Sequence, residues 1–135
     1  MDSSRIINDR HCFCCGDKND RGLKLKFTYP GEGKAETLLT VPEYFTGWEN
    51  LTHGGLISML LDETMAHACI GSGLNGVTAE LTVRFRKPLP VETEIIVTGE
   101  MSSKKGRIVL TTGKITDKDE NVYATGKARF IGETR

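Results

Sequence analysis

The 135-residue chain is predicted to fold as an α+β domain, one long helix laid against an antiparallel sheet. Three observations predict it. Short runs before and after the middle of the chain alternate apolar and polar residues with period two, as strands do. Only one segment, around residues 57–68, switches to helical period. The runs that follow it are joined by turns too short for parallel crossovers, so consecutive strands pair antiparallel.

The elements follow in order. Residues 1–22 are polar and rich in turn formers (Gly16, Asn19, Asp20, Gly22) and read as an irregular arm within a single domain spanning 1–135. Residues 23–29 alternate and read as a strand, 30–33 as a Pro-Gly turn, and 34–41 as a second strand completing a hairpin. Residues 42–52 form a loop. Ile57, Leu60, Leu61, Thr64, Met65 and Ala68 then make a helical stripe, apolar apart from Thr64, which Gly71, Ser72 and Gly73 stop. Four strands follow, over 77–87, 94–101, 107–116 and 121–131, joined by turns at 88–90, 103–106 and 117–120. Leu81, Val83 and Phe85 alternate with Thr82, Arg84 and Arg86, so one face of that strand should be buried. The helix also carries Met59, Ala66 and Ile70 away from its stripe. A helix apolar on most sides needs cover on most sides, and a second copy of the chain is the simplest cover.

Composition narrows the function. Lys+Arg and Asp+Glu are both 18, so the formal charge is zero and a broad nucleic-acid surface is not expected. No apolar run is long enough for a membrane helix, and the first residues lack the apolar core of a secretory signal. A cytoplasmic protein without a membrane partner is expected. In that compartment Cys12, Cys14, Cys15 and Cys69 are thiols.

The segment from Asn50 to Glu63 holds the chemistry. Gly54 and Gly55 open the helix and leave its first N–H groups, which have no intrahelical partner, unobstructed by side chains. Such groups can polarise a carbonyl or hold an oxyanion, or the glycines can simply permit close packing. Asp62 follows two leucines, a setting that favours partial burial and a raised pKa, although an exposed helical turn would leave it a solvated charge. At about 1.5 Å per residue, Gly54 and Asp62 lie about 12 Å apart on one helix. If both act on one carbonyl, they must come from two subunits.

His53-Gly54-Gly55 ahead of an apolar helix, with Asp62 nine residues after the histidine, resembles the hotdog-fold acyl-CoA thioesterases, and most closely the branch holding the phenylacetate-pathway enzymes and the mammalian thioesterase-superfamily members. The run from Thr78 to Pro88 resembles that family's next strand. The arm Cys12-Phe-Cys-Cys-Gly16, with Asn19, Gly22 and Leu23, resembles an element of one subset. The resemblance implies an antiparallel sheet wrapped around the helix, an acyl-CoA substrate, no cofactor, and a dimer that assembles further into a tetramer. By the same resemblance, the Gly54 N–H would polarise the thioester carbonyl. Asp62 of the partner subunit would activate water or attack directly. His53 would orient the loop, and Thr78 would help place the carboxylate or the water. Some members carry Asn where this chain has Gly47, so the role of the nearby Asn50 is open. Ideal alternation turns Thr78 away from the helix unless the strand bulges.

CoA requires cations for its phosphates, and two sets offer them: Arg84, Arg86 and Lys87, or Lys104, Lys105 and Arg107. Asn50 and Gly55 are further candidates for contacting substrate. A zinc site built from Cys12, Cys15, His67 and Cys69 is not expected, because His67 and Cys69 point about 200° apart on a helix. His67 instead pairs with Glu63, four residues earlier. Two other functions remain: hydration of an enoyl thioester, disfavoured by the Gly-Gly after His53, and a non-catalytic acyl-CoA sensor, disfavoured by Asp62.

Overall fold

A computed structural model describes residues 6–134. In chain order the elements are β1 (Lys34–Thr40), a single 3-10 turn (Glu43–Phe45), α1 (Gly54–Ile70), β2 (Leu74–Phe85), β3 (Glu94–Lys105), β4 (Ile108–Thr116) and β5 (Val122–Thr134). The five strands form one sheet in the order β1-β3-β4-β5-β2, every neighbouring pair antiparallel. α1 crosses one face of it, in contact with all five strands.

The helical stripe is the core. Ile57, Leu60, Leu61, Thr64, Met65 and Ala68 are all buried. They pack with Val97, Ile115 and Phe130 of the sheet. Burial of each large side chain contributes about 1.5–3 kcal/mol. Thr64 fits an apolar stripe because its hydroxyl donates to the Leu60 carbonyl, 2.8 Å away.

The sheet face beneath α1 carries a row of glycines. Gly99, Gly113 and Gly126 lie side by side on β3, β4 and β5. A Cβ on Gly99 would sit 2.8 Å from the Thr64 carbonyl oxygen, and one on Gly113 or Gly126 would press on Met65 and Leu61. The row is a trough in which the middle of α1 rests.

The strand expected over 23–29 does not form. Thr28 makes one antiparallel bridge to Glu36. Upstream, the N–H groups of Leu23 and Leu25 donate to the carbonyls of Phe13 and Cys14 in the arm. Lys24 has φ +52°, which breaks the extended run. The alternation reflects Leu25 and Phe27 turning towards the core rather than a continuous ladder.

β3 runs four residues beyond the expected end at 101, through a bulge between Met101 and Ser103, and the hairpin closes at Gly106 with φ +62°. The polar residues 103–105 were read as a turn because no apolar alternation marks an exposed hairpin tip. The turn at 117–120 forms as expected. Asp117 organises it, accepting from the backbone N–H groups of Asp119 and Asn121 and from the Tyr123 hydroxyl.

β2 lies at the sheet edge. Leu81 and Val83 are half-buried, but Phe85 is 55% exposed and Val77 is 42% exposed. The expected buried face is therefore incomplete within one chain. The far side of α1 is covered in part by the chain's own arm, around Glu63 and His67, rather than wholly by a second subunit.

Candidate active site

The loop before α1 places His53 at the N-cap. Its Nδ1 accepts a hydrogen bond from the Gly55 N–H at 2.8 Å, which puts the hydrogen of the neutral ring on Nε2. A Cβ at Gly55 would lie 3.0 Å from that Nδ1, so any larger residue there would press on the capping ring. The first N–H groups of α1 are thus shared out. Gly55 serves His53, while Leu56 and Ile57 donate to the His53 carbonyl. The Gly54 N–H has no hydrogen-bond partner among the described residues. A Cβ on Gly54 would lie 3.4 Å from Phe85 Cε1, so the Phe85 ring packs close to this residue. An unpartnered N–H at a positive helix end is suited to polarising a carbonyl.

Asp62 is half-buried on α1. Burial raises its pKa above the usual carboxylate value; the Thr78 hydrogen bond opposes that and the neighbouring Glu63 charge adds to it. Thr78 Oγ1 donates to Asp62 Oδ1 at 2.6 Å. The strand does bulge to allow this. Thr78 pairs with Phe130, but Glu80, not Ala79, pairs with the next residue, Arg129. The extra residue turns Thr78 to the helix side, against ideal alternation. Thr78 itself is exposed in the single chain, on the edge strand.

The remaining candidates are dispersed. Asn50 holds φ +60° in the loop, and its carbonyl accepts from the Val91 N–H, so its visible role is to turn the chain. Gly47 packs so that a Cβ would meet His53 Cα at 3.1 Å. Arg84, Arg86 and Lys87 are exposed at and just beyond the end of β2. Lys87 Nζ donates to Asn121 Oδ1 at 2.9 Å, and none of the three forms an ion pair among the described residues.

A second polar cluster gathers Cys12, Cys15 and His67 around Glu63, an assembly not expected from the sequence. Glu63, next to Asp62, turns to the arm. Its carboxylate accepts from Cys12 Sγ at 3.2 Å and Cys15 Sγ at 3.5 Å, and it pairs with His67 Nε2 at 3.2 Å. The Glu63–His67 pairing was expected; the thiols were not. Burial raises the Glu63 pKa, but hydrogen bonds from His67 and Cys12 outweigh it and hold the carboxyl below its ordinary value. Burial, and then the Glu63 charge, push the Cys14 and Cys15 thiols well up.

Comparison with known proteins gives a consistent picture. The family model described as "Thioesterase superfamily" matches residues 49–124. Acyl-coenzyme A thioesterase THEM4 of Xenopus laevis is 30% identical over 89 residues, covering 65% of this chain and 40% of that protein. Human acyl-coenzyme A thioesterase 13 is 27% identical over 106 residues, covering 77% of this chain and 72% of that protein. The chain therefore spans well under half of the first relative's length. A crystal structure of a thioesterase superfamily protein superposes with TM-score 0.84 at 27% identity, covering 90% of this chain and 63% of that one. A five-stranded antiparallel sheet on one long helix is the hotdog fold expected from the resemblance.

Proposed function

Because this chain belongs to the thioesterase superfamily, we propose that it hydrolyses an acyl-CoA thioester to a free acid and a thiol. The observation that carries the reading is the bulge that sets Thr78 Oγ1 on the half-buried Asp62 carboxylate, on the same helix as an unpartnered Gly54 N–H.

The chemistry follows from these groups. The Gly54 N–H polarises the thioester carbonyl and receives the charge that develops on its oxygen. The Asp62 carboxylate takes a proton from water as the water oxygen bonds to the carbonyl carbon. The C–S bond then breaks, and the thiolate leaves and takes up a proton. Attack by Asp62 itself, followed by hydrolysis of the anhydride, uses the same geometry. Thr78 is a positioning residue that holds one carboxylate oxygen so that the other faces the substrate. His53 keeps the loop in place through its cap on Gly55.

Gly54 and Asp62 are about 12 Å apart along α1, so one carbonyl meets Gly54 of one subunit and Asp62 of the other. Two features support a homodimer. β2 is an edge strand, and Val77 and Phe85 on it are exposed. Asp62 and Thr78 lie together beside that edge. Arg84, Arg86 and Lys87, exposed at and just beyond the end of the same strand, are the cations this reading assigns to the phosphates of CoA.

The test is a panel of short, long and aryl acyl-CoA substrates followed by release of free thiol. Asp62→Asn is nearly isosteric but cannot accept the proton. It is expected to lower kcat by about 10²–10⁴-fold while acyl-CoA still binds. Wild-type protein that binds acyl-CoA but hydrolyses none would replace this reading with a sensor.

A further inference from the structure

The arm cluster is built like a metal site. Cys15 Sγ, Glu63 Oε1 and His67 Nε2 form a triangle with sides of 3.5, 3.2 and 3.4 Å. Cys12 Sγ lies 3.2 Å from the other oxygen of the same carboxylate. Zinc binds sulfur at about 2.3 Å and nitrogen or oxygen at about 2.0–2.1 Å, so the edges of its tetrahedron are about 3.3–3.8 Å. The triangle has nearly those dimensions. We propose that Cys12, Cys15, Glu63 and His67 bind a zinc ion that fastens the N-terminal arm to α1. The sequence-based argument against zinc rested on pairing His67 with Cys69; the fold pairs His67 with Glu63 and the arm thiols instead.

Three features around the cluster are those a ligand set needs. First, the His67 ring is fixed from its other side. Tyr29 Oη hydrogen-bonds Nδ1 at 2.8 Å, and the Phe27 ring stacks on the imidazole at 3.8 Å, nearly parallel to it. When the metal binds, the hydrogen sits on Nδ1 with Tyr29 Oη accepting it, and Nε2 is free to ligate. Second, the Cys14 backbone N–H is directed at Cys12 Sγ, 3.3 Å away, an interaction that stabilises a thiolate. Third, Cys12 to Gly16 is a tight knuckle. The Gly16 N–H donates to the Cys12 carbonyl at 2.8 Å, and a Cβ on Gly16 would lie 2.4 Å from the Cys12 nitrogen. Only glycine fits after Cys15, and the turn brings residues three apart to one side.

Cys14 is the third thiol of the knuckle, with its Sγ also near Cys12 and Glu63. Its side chain is 3% exposed and belongs to the apolar core. Cys12, Cys15, Glu63 and His67 all line one groove between the arm and α1, and Cys14 does not. Cys12 meets the carboxylate at its other oxygen, so its thiol completes a tetrahedron by swinging towards the Cys15–Glu63–His67 triangle when the metal binds. Such a site is structural rather than hydrolytic, since no position is left for water.

Full-length protein purified under reductant without chelator should carry close to one zinc per chain by elemental analysis. Metal-free protein titrated with cobalt(II) should show thiolate-to-metal charge transfer and the strong visible absorption of a tetrahedral site. Cys12→Ser with Cys15→Ser should abolish both, and Cys14→Ser should retain both. Tyr29→Phe should weaken the affinity about 10–100-fold without removing the thiolate band. Folded wild-type protein that takes up neither metal at micromolar concentration would overturn the proposal, leaving a hydrogen-bonded hub around Glu63. A cobalt spectrum without thiolate character, or binding lost in Cys14→Ser and kept in the double variant, would overturn the ligand assignment.

Discussion

Thr78→Val isolates the contact on which the proposed chemistry depends. Valine keeps the shape and the β-branching of threonine but removes the 2.6 Å hydrogen bond to Asp62 Oδ1. A hydrogen bond to a charged group contributes about 1.5–3 kcal/mol. If it holds the carboxylate in its reactive orientation at the transition state, its loss lowers kcat by about 10–150-fold at about 1.4 kcal/mol per tenfold. KM should change little, because Thr78 touches the carboxylate and not the acyl-CoA. Thr78 is exposed on an edge strand, so stability should move by no more than about 0.5 kcal/mol. Thr78→Ser restores the hydroxyl and should recover most of the rate. The assay is steady-state thiol release with the best substrate of the panel, alongside thermal unfolding of each variant. A Thr78→Val enzyme at the wild-type kcat, or a Thr78→Ser enzyme as slow as Thr78→Val, would refute the positioning role.

Other outcomes follow from the same structure. Light scattering at micromolar concentration should find at least a dimer; a stable, fully active monomer would end the shared-site mechanism. Gly99→Ala drives a Cβ to 2.8 Å from the Thr64 carbonyl oxygen and should cost about 1–3 kcal/mol in urea unfolding, whereas Gly126→Ala meets the flexible Met65 methyl at 3.2 Å and should cost less. Equal losses would show that the trough does not set the depth of the helix. Hydrogen bonds from Asn121 and Tyr123 hold the Asp117 carboxyl down at about pH 2. A depressed carboxyl stabilises the fold above its unfolded pKa of about 4 and loses that contribution as pH falls towards 2. The melting-point gap between wild type and Asp117→Asn should therefore narrow over that window and stay constant above it.

The helix and the four strands after it were legible because their periods are local. Ile57 to Ala68 repeat at helical spacing whatever they pack against, and each later strand carries its own alternation. Residues 23–29 misled for the same reason. Leu25 and Phe27 alternate inward, but the backbone bonds that would make a strand go to the arm, and local pattern does not show where hydrogen bonds are spent. His53, Gly54 and Asp62 stand out in the sequence because a helix cap and a carboxylate two turns further on are local features of one helix. The contact of Thr78 with Asp62 depends on one bulged residue, Ala79, whose effect on facing is tertiary. The arm cluster was hidden by distance. Cys12 and Glu63 are 51 positions apart; the Cys12–Cys15 spacing and the Glu63–His67 pair are each local, but nothing local joins the one to the other.

The glycine row also acts as a check on strand alignment during folding. Its three members belong to three different strands, so the trough exists only when both the β3–β4 and the β4–β5 hairpins have closed in the correct register. A slip of one residue reverses the facing of a strand. It would bring Lys114 or Lys127, next to Gly113 and Gly126 in sequence, under the apolar stripe of α1, where an unpaired charge has no place. The helix can settle only on a correctly aligned meander. Its docking, and with it the placing of Asp62, is thereby tied to the closure of both hairpins in register.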